Sequence, residues 1–355
     1  MSNLKSTRSS NIEFLRLIIM FYIVLYHFCS YIKSSIDPNN RFVLLGYTLF
    51  HIGVPVFILI SGYFTIKLST KKIVTYYLYC TLWYIFCYIF AIIINHNTIN
   101  LKECLLQLFP FNNTQGRWFV TYYFWLMLLS PLLNQVSQLT LKKHIFLVLL
   151  SLTMIIYSGL VWNSDIINGG KSIIYFISLY MLGNLIKRIN IGIIKTQIWI
   201  KLYIIIILFI SILNFILPLY LLKPLRGLTF AYQSPILILS SILFFIIFLK
   251  LKINNPIINY LSMSSFAIYL LHENKYISPC YKSLVKNAYA NFDGPMVFLI
   301  LIFLSILFCV VAIIVDKTIR NPLQSILEPP LLKYLTQLNS MITNNITHLK
   351  NKYKL

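Results

Sequence analysis

The sequence predicts an all-α fold: a polytopic integral membrane helical bundle of about ten transmembrane helices, with the N and C termini cytoplasmic. Three observations predict it. Of the 355 residues 59% are hydrophobic and only 11% charged, and mean hydropathy is +0.78, far from the composition of a chain folded in water. Apolar runs of about 18 residues or more recur along the whole length, each able to cross roughly 30 Å of hydrocarbon as a helix. Basic residues gather in the short turns between those runs, and no large soluble domain fits between them.

The helices are expected at 12–32, 43–66, 73–95, 118–138, 144–162, 172–188, 199–221, 231–250, 257–279 and 295–317. The first carries Arg16 and His27 and lacks a small-residue cleavage site, so it reads as a retained helix and not a signal peptide. Turn signals mark the breaks: Asp37-Pro38-Asn39-Asn40, Asn112-Asn113, Asn168-Gly169-Gly170, Asn254-Asn255-Pro256 and Asp293-Gly294-Pro295. Residues 1–328 then form one membrane domain. Residues 329–355, after Pro329-Pro330, form a basic amphipathic cytoplasmic tail whose apolar positions, Leu331, Leu335, Leu338, Met341 and Ile342, keep helical spacing.

Lys and Arg total 30 against 8 for Asp and Glu, giving a net charge of +22. In a soluble chain this excess would suggest nucleic acid. Placed in turns it sets topology and attracts anionic headgroups, so the partner is a lipid bilayer and not nucleic acid. An N-terminus in the cytoplasm puts about 19 basic residues on the inner side and about 10 on the outer. The over-use of Ile, Lys, Asn, Tyr and Phe suits an AT-rich bacterial genome, hence a multi-pass plasma-membrane protein. The cysteines form no CxxC and read as small buried hydrophobes.

An ionisable group inside a span costs roughly 3 kcal/mol or more, so each one asks for a reason. Arg16 and His27 are eleven residues apart, which returns to nearly the same helix face with roughly 16 Å between Cα atoms. Alone, Arg16 reads as an anchor snorkelling to headgroups and paired with Glu13, and His27 as a packing histidine. Sharing a face, they read better as a site. His27, His51 and His272 fall in one layer of the outer half of the membrane. Glu273 follows as a partner or a rim residue. A histidine there can take a proton from an acceptor hydroxyl. No metal is expected, because these residues form no local ligand motif and HExxH is absent. No GxSxG elbow or phosphate-binding glycine loop occurs, which removes soluble hydrolases and NTPases.

In this order the residues resemble the acyltransferase 3 family of bacterial membrane O-acyltransferases over 11–320. Arg16 and His27 match its Arg, ten residues, His signature. His51-Ile52-Gly53-Val54-Pro55-Val56-Phe57 leading to Ser61-Gly62-Tyr63-Phe64 looks like its second helix, and Gly116-Arg117-Trp118-Phe119 leading to Ser130-Pro131-Leu132-Leu133 like its fourth. Tyr180-Met181-Leu182-Gly183-Asn184 and Phe266-Ala267-Ile268-Tyr269-Leu270-Leu271-His272 are similar to later segments. The resemblance implies transfer of an acyl group, often acetyl from acetyl-CoA, to hydroxyls of envelope glycans, lipids or sugars. It implies His27 as the catalytic histidine and Arg16 as a residue needed for the donor. Lys67, Lys71 and Lys72 stand where many members have arginines, and Lys meets phosphate as a point charge without the arginine fork.

The expected function is therefore a membrane O-acyltransferase moving an acyl group from cytoplasmic acyl-CoA to an envelope polysaccharide or lipid-linked sugar. Arg16, Lys67, Lys71 and Lys72 hold the donor phosphates. His27 acts as general base or accepts the acyl group transiently, two routes the sequence leaves open. Glu13, His51, His272 and Glu273 are supporting residues, with Ser61, Tyr63, Arg117 and Trp118 second in rank. The alternatives are a transporter of glycans or lipid-linked sugars, whose polar residues would line a path, and a polysaccharide polymerase.

Overall fold

The structure, a computed structural model, describes residues 9–32, 41–95, 99–112, 117–160, 168–216, 231–292 and 294–353. Helices and turns make up the described residues, and no strand occurs among them. The Asp37 to Asn40 turn and the residues Lys5, Arg8, Lys33, Asn113, Gly116, Lys223, Arg226, Asp293 and Lys354 lie outside them.

The bundle is organised around α1 (Ser10–Ile32). Leu15, Ile19, Val24, Leu25 and Cys29 of this helix have no exposed surface. Lipid tails are as apolar as these side chains, so close helix packing, not escape from water, rewards that burial. Around α1 lie α2 (Arg41–Leu49) and α3 (Gly53–Phe64), separated by a single 3-10 turn, Phe50–Ile52. Pro55 explains the turn: it has no N–H for the carbonyl of His51, four residues back.

α3 crosses α8 (Ile173–Arg188) backbone to backbone. A Cβ added at Gly62 would stand 2.2 Å from the Tyr180 carbonyl oxygen, and one at Gly183 would stand 2.4 Å from that of Leu59. Only glycine permits the approach, the small-residue rule for helix contacts in lipid. α4 (Thr70–Asn95) follows, then the short α5 (Leu101–Gln107), whose N-terminus is capped by Asn100 accepting from the Glu103 N–H at 3.2 Å. α6 (Trp118–Gln135), α7 (Leu141–Leu160), α9 (Thr196–Ile216) and α10 (Pro235–Lys250) complete this part of the bundle.

The ninth expected span, 257–279, departs from the sequence reading. It is split into α11 (Pro256–Ser262) and α12 (Ser265–His272), and it ends at His272. A polar helix not expected from hydropathy, α13 (Ser278–Asn291), follows before α14 (Gly294–Val315). Lys282, Lys286, Asn287 and Asn291 lower the apolarity of α13 below anything a search for spans detects. At the end of α11, just before the break, the Ser262 hydroxyl donates to Glu13 Oε2 at 2.6 Å.

A π-turn, Asp316–Arg320, joins α14 to α15 (Asn321–Tyr353), which continues through Pro329 and Pro330 without ending there. Asp316 is fully buried. Its carboxylate accepts from Tyr79 at 3.1 Å, Trp83 at 3.2 Å, and Arg320 at 2.8 and 2.6 Å. These bonds tie the C-terminal helix to α4.

Six helical stretches among the described residues are long and apolar enough to span a bilayer: Ser10–Ile32, Arg41–Phe64, Thr70–Ile94, Leu141–Gly159, Thr196–Leu213 and Gly294–Met341. α8 and α10, at 16 residues each, are shorter than a full crossing.

Candidate active site

Two features lie toward opposite ends of α1. The first is a cleft of about 610 Å³ lined by Arg16, Ser61, Lys71, Lys72, Tyr76, Tyr123 and Phe266, among others. Arg16 is aimed by a relay: its Nη1 donates to Glu13 Oε1 at 3.0 Å, and Glu13 in turn is held by Ser262. The Ser61 hydroxyl lies 3.1 Å from that of Tyr123 on the cleft wall.

The mouth is shaped by the segment joining α3 to α4. Thr65 there takes a positive φ of 57°, which lets the chain leave α3 sharply. Asn134 and Tyr180 then hold Ile66 on both backbone groups. The Ile66 N–H donates to Tyr180 Oη at 2.8 Å, Asn134 Nδ2 donates to the Ile66 carbonyl at 3.0 Å, and Tyr180 Oη donates to Asn134 Oδ1 at 2.7 Å. Lys67 lies just beyond this clamp and, unlike Lys71 and Lys72, is not among the residues that line the cleft.

The second feature is a histidine–carboxylate pair. His27 Nδ1 lies 2.9 Å from Glu273 Oε1, with the two side chains 24% and 31% exposed, so a substrate can reach both. Tyr31, one turn along α1, donates its hydroxyl to the same oxygen at 2.7 Å. A carboxylate only accepts, so Nδ1 of His27 carries a proton, and in the neutral ring the lone pair is on Nε2.

His272 lies with its ring centroid 4.8 Å from that of His27 and is wholly buried. Its position at the end of α12 explains its bonding: Nδ1 donates to the Tyr269 carbonyl at 2.7 Å and to that of Ile268 at 3.3 Å, satisfying acceptors the helix leaves over. Nε2 keeps the lone pair and has no hydrogen-bond partner. One ligating atom each from His27, His272 and Glu273 fall within 4.8 Å of one another. The sequence argument against metal considered local spacing only, whereas this cluster joins α1 to residues some 245 positions later.

The remaining site residues divide. His51, in the 3-10 turn, stacks on Tyr26 with centroids 4.3 Å apart and meets Tyr232 at a tilt, 4.1 Å away. Trp118 meets Tyr232 at 5.7 Å and so extends the same aromatic wall. Arg117 is buried with its guanidinium 3.8 Å above the Tyr84 ring and donates to Gln107 Oε1. It and Glu273 line one small cavity of about 20 Å³. Tyr63 packs edge-on against Phe245, away from the cleft lining.

Sequence reasoning missed Tyr31, Asn134, Tyr180 and Asp316. A signal existed for two of them. Tyr31 stands four residues after His27 on the same face, and Asp316 and Arg320 form an i,i+4 pair at the end of an apolar run. Asn134 and Tyr180 act through a backbone segment far away in sequence; Tyr180 heads a segment quoted for the resemblance but with no role given to it, and nothing local announces Asn134.

The fold is a bundle of long apolar helices whose central helix borders a cationic cleft toward one end and a histidine–carboxylate pair toward the other. Residues 9–314 match the family model described as "Acyltransferase domain", and the chain belongs to the acyltransferase 3 family. It is a membrane acyltransferase. No curated protein and no solved structure matches the chain.

Proposed function

We propose that this acyltransferase moves an acyl group, acetyl in the simplest case, from cytoplasmic acyl-CoA to a hydroxyl of an envelope glycan or lipid-linked sugar in a bacterial plasma membrane. One observation carries the reading: a single helix bears Arg16 in a cleft with Lys71 and Lys72, and eleven residues further bears His27 bonded to Glu273. Donor phosphates suit the cationic end. The reacting carbonyl belongs at the other, roughly 16 Å along the helix.

The chemistry follows from the tautomer. With Nδ1–H held by Glu273, His27 Nε2 takes the proton of the acceptor hydroxyl as its oxygen attacks the thioester carbonyl. The C–O bond forms, the C–S bond breaks, and the proton passes from the imidazolium to the departing thiolate, releasing CoA as a thiol. Glu273 stabilises the imidazolium formed in between, the part a carboxylate plays in a nucleophile–histidine–acid arrangement. Phe266, which lines the cleft, lies six residues and about 9 Å before His272 on α12, a short distance for the thioester arm to cover.

The test compares envelope glycans by NMR in cells carrying wild type, His27→Ala or a deletion. O-acyl signals lost in both mutants are expected. Unchanged acylation in the deletion, with lost export or altered chain length, would replace this reading with transport or polymerisation.

A further inference from the structure

A second cavity, of about 190 Å³, opens between α1, α13 and α14. Its lining is almost wholly apolar: Phe28 from α1, Tyr281 and Val285 from α13, and Leu304, Phe308 and Val311 from α14. Phe28 is the chain neighbour of His27. The rings of Phe28, Tyr281 and Phe308 pack together, with centroids 5.3 to 6.1 Å apart, and at the Tyr31 end Tyr281 also meets the Tyr31 ring at 6.0 Å.

At that end the chemistry changes from apolar to cationic. Lys282, next to Tyr281, places Nζ 4.7 Å above the ring of Tyr31, whose hydroxyl is bonded to Glu273. Lys286 stands exposed one turn further along α13. Tyr281 and Tyr31 thus link the apolar slot to Lys282 and to the His27–Glu273 pair, with Lys286 one turn further along α13.

We infer that this groove seats the acceptor, and that the acceptor is a phosphate-bearing lipid with a sugar head: its chain along α13 and α14, its phosphate at Lys282 and Lys286, its sugar hydroxyl at His27. The inference rests on the acyl-transfer reading for the role of the bound lipid, while its binding can be measured without turnover. A neutral lipid would fill the slot but leave the cations unused. A free polysaccharide would use neither.

The experiment is equilibrium binding of farnesyl phosphate, farnesol and inorganic phosphate to the full chain in phosphatidylcholine nanodiscs, with no acyl donor present. Farnesyl phosphate is expected to bind roughly tenfold or more tighter than farnesol, since each lysine at a membrane surface adds to anion affinity, and inorganic phosphate is expected not to bind measurably. Lys282→Gln with Lys286→Gln should erase the preference over farnesol. Leu304→Trp, which fills the slot, should weaken both lipids, and Val311→Trp repeats the test at a second position should the first variant elute as an aggregate. Equal binding of farnesol and farnesyl phosphate in wild type, or unchanged binding in a well-folded slot-filled variant, would overturn the inference. Absence of acyl transfer by the wild-type chain, with farnesyl phosphate binding intact, would count against the enzymatic reading and leave the lipid site standing.

Discussion

Glu273 accepts a hydrogen bond from His27 at 2.9 Å across 246 positions of sequence, and in doing so fixes which nitrogen of the histidine is free to react. The neighbouring Tyr31 hydroxyl holds the same carboxylate oxygen. Orientation of the imidazole is therefore built into the contact of α1 with the end of α12.

Replacing Glu273 by Gln keeps the shape and removes the charge that stabilises the imidazolium. Turnover of labelled acyl-CoA in membranes should fall on the order of a hundredfold while the KM for acyl-CoA stays within twofold, and His27→Ala should fall further. A Glu273→Gln enzyme running at the wild-type rate would remove the carboxylate from the mechanism.

The cationic cleft predicts the opposite kinetic pattern. Lys71→Gln and Lys72→Gln should each raise the KM for acyl-CoA by about fivefold with little change in kcat, since partly exposed charge pairs are worth up to roughly 1 kcal/mol. Lys67→Gln, outside the cleft lining, should change neither. An equal effect at Lys67 would show that the donor phosphates lie outside the cleft.

Chelation separates acid–base chemistry from metal chemistry at the histidine cluster. Dialysis against EDTA should leave turnover unchanged, because His27 and Glu273 already satisfy each other. Activity lost on dialysis and restored by zinc alone would make His27, His272 and Glu273 ligands instead.

Stability should depend on backbone contact where α3 meets α8. Gly62→Ala or Gly183→Ala forces a methyl group into a carbonyl oxygen and should cost about 1–3 kcal/mol, read as a lower thermal midpoint in detergent. Both variants melting as wild type would mean the helices separate easily.

Asp316→Asn leaves Arg320 buried without its counter-charge. A loss on the order of 3–5 kcal/mol is expected, visible as poor yield or early melting. The pair lies just beyond the matched family region, 9–314, so its effect measures what the C-terminal helix adds to the fold.

The sequence revealed most where a signal was local. The Arg16 and His27 stripe, the Glu13 to Arg16 pairing and the long spans α1, α4, α7, α9 and α14 could all be read from spacing and hydropathy. The split after Ser262 was not, because the short Ser262-Met263-Ser264-Ser265 stretch lies between apolar flanks and is averaged away over a span-length window. Neither was α13, whose lysines and asparagines make it resemble a loop. The choice between partner and rim for Glu273 needed the approach of α12 to α1, a fact of tertiary packing that no window along the chain contains.

The clamp of Asn134 and Tyr180 on Ile66 has a consequence for how new specificities could arise. Three hydrogen bonds from the Asn134 and Tyr180 side chains, two of them to the Ile66 main chain, and a glycine-to-carbonyl crossing hold the entrance. Side chains that face the cavity, such as Ser61 and Met127, carry none of that frame. On the proposed reading of the cleft as the donor site, selection can exchange them to admit longer or bulkier thioesters while the doorway keeps its dimensions, so that donor preference and architectural integrity would be inherited as separate traits.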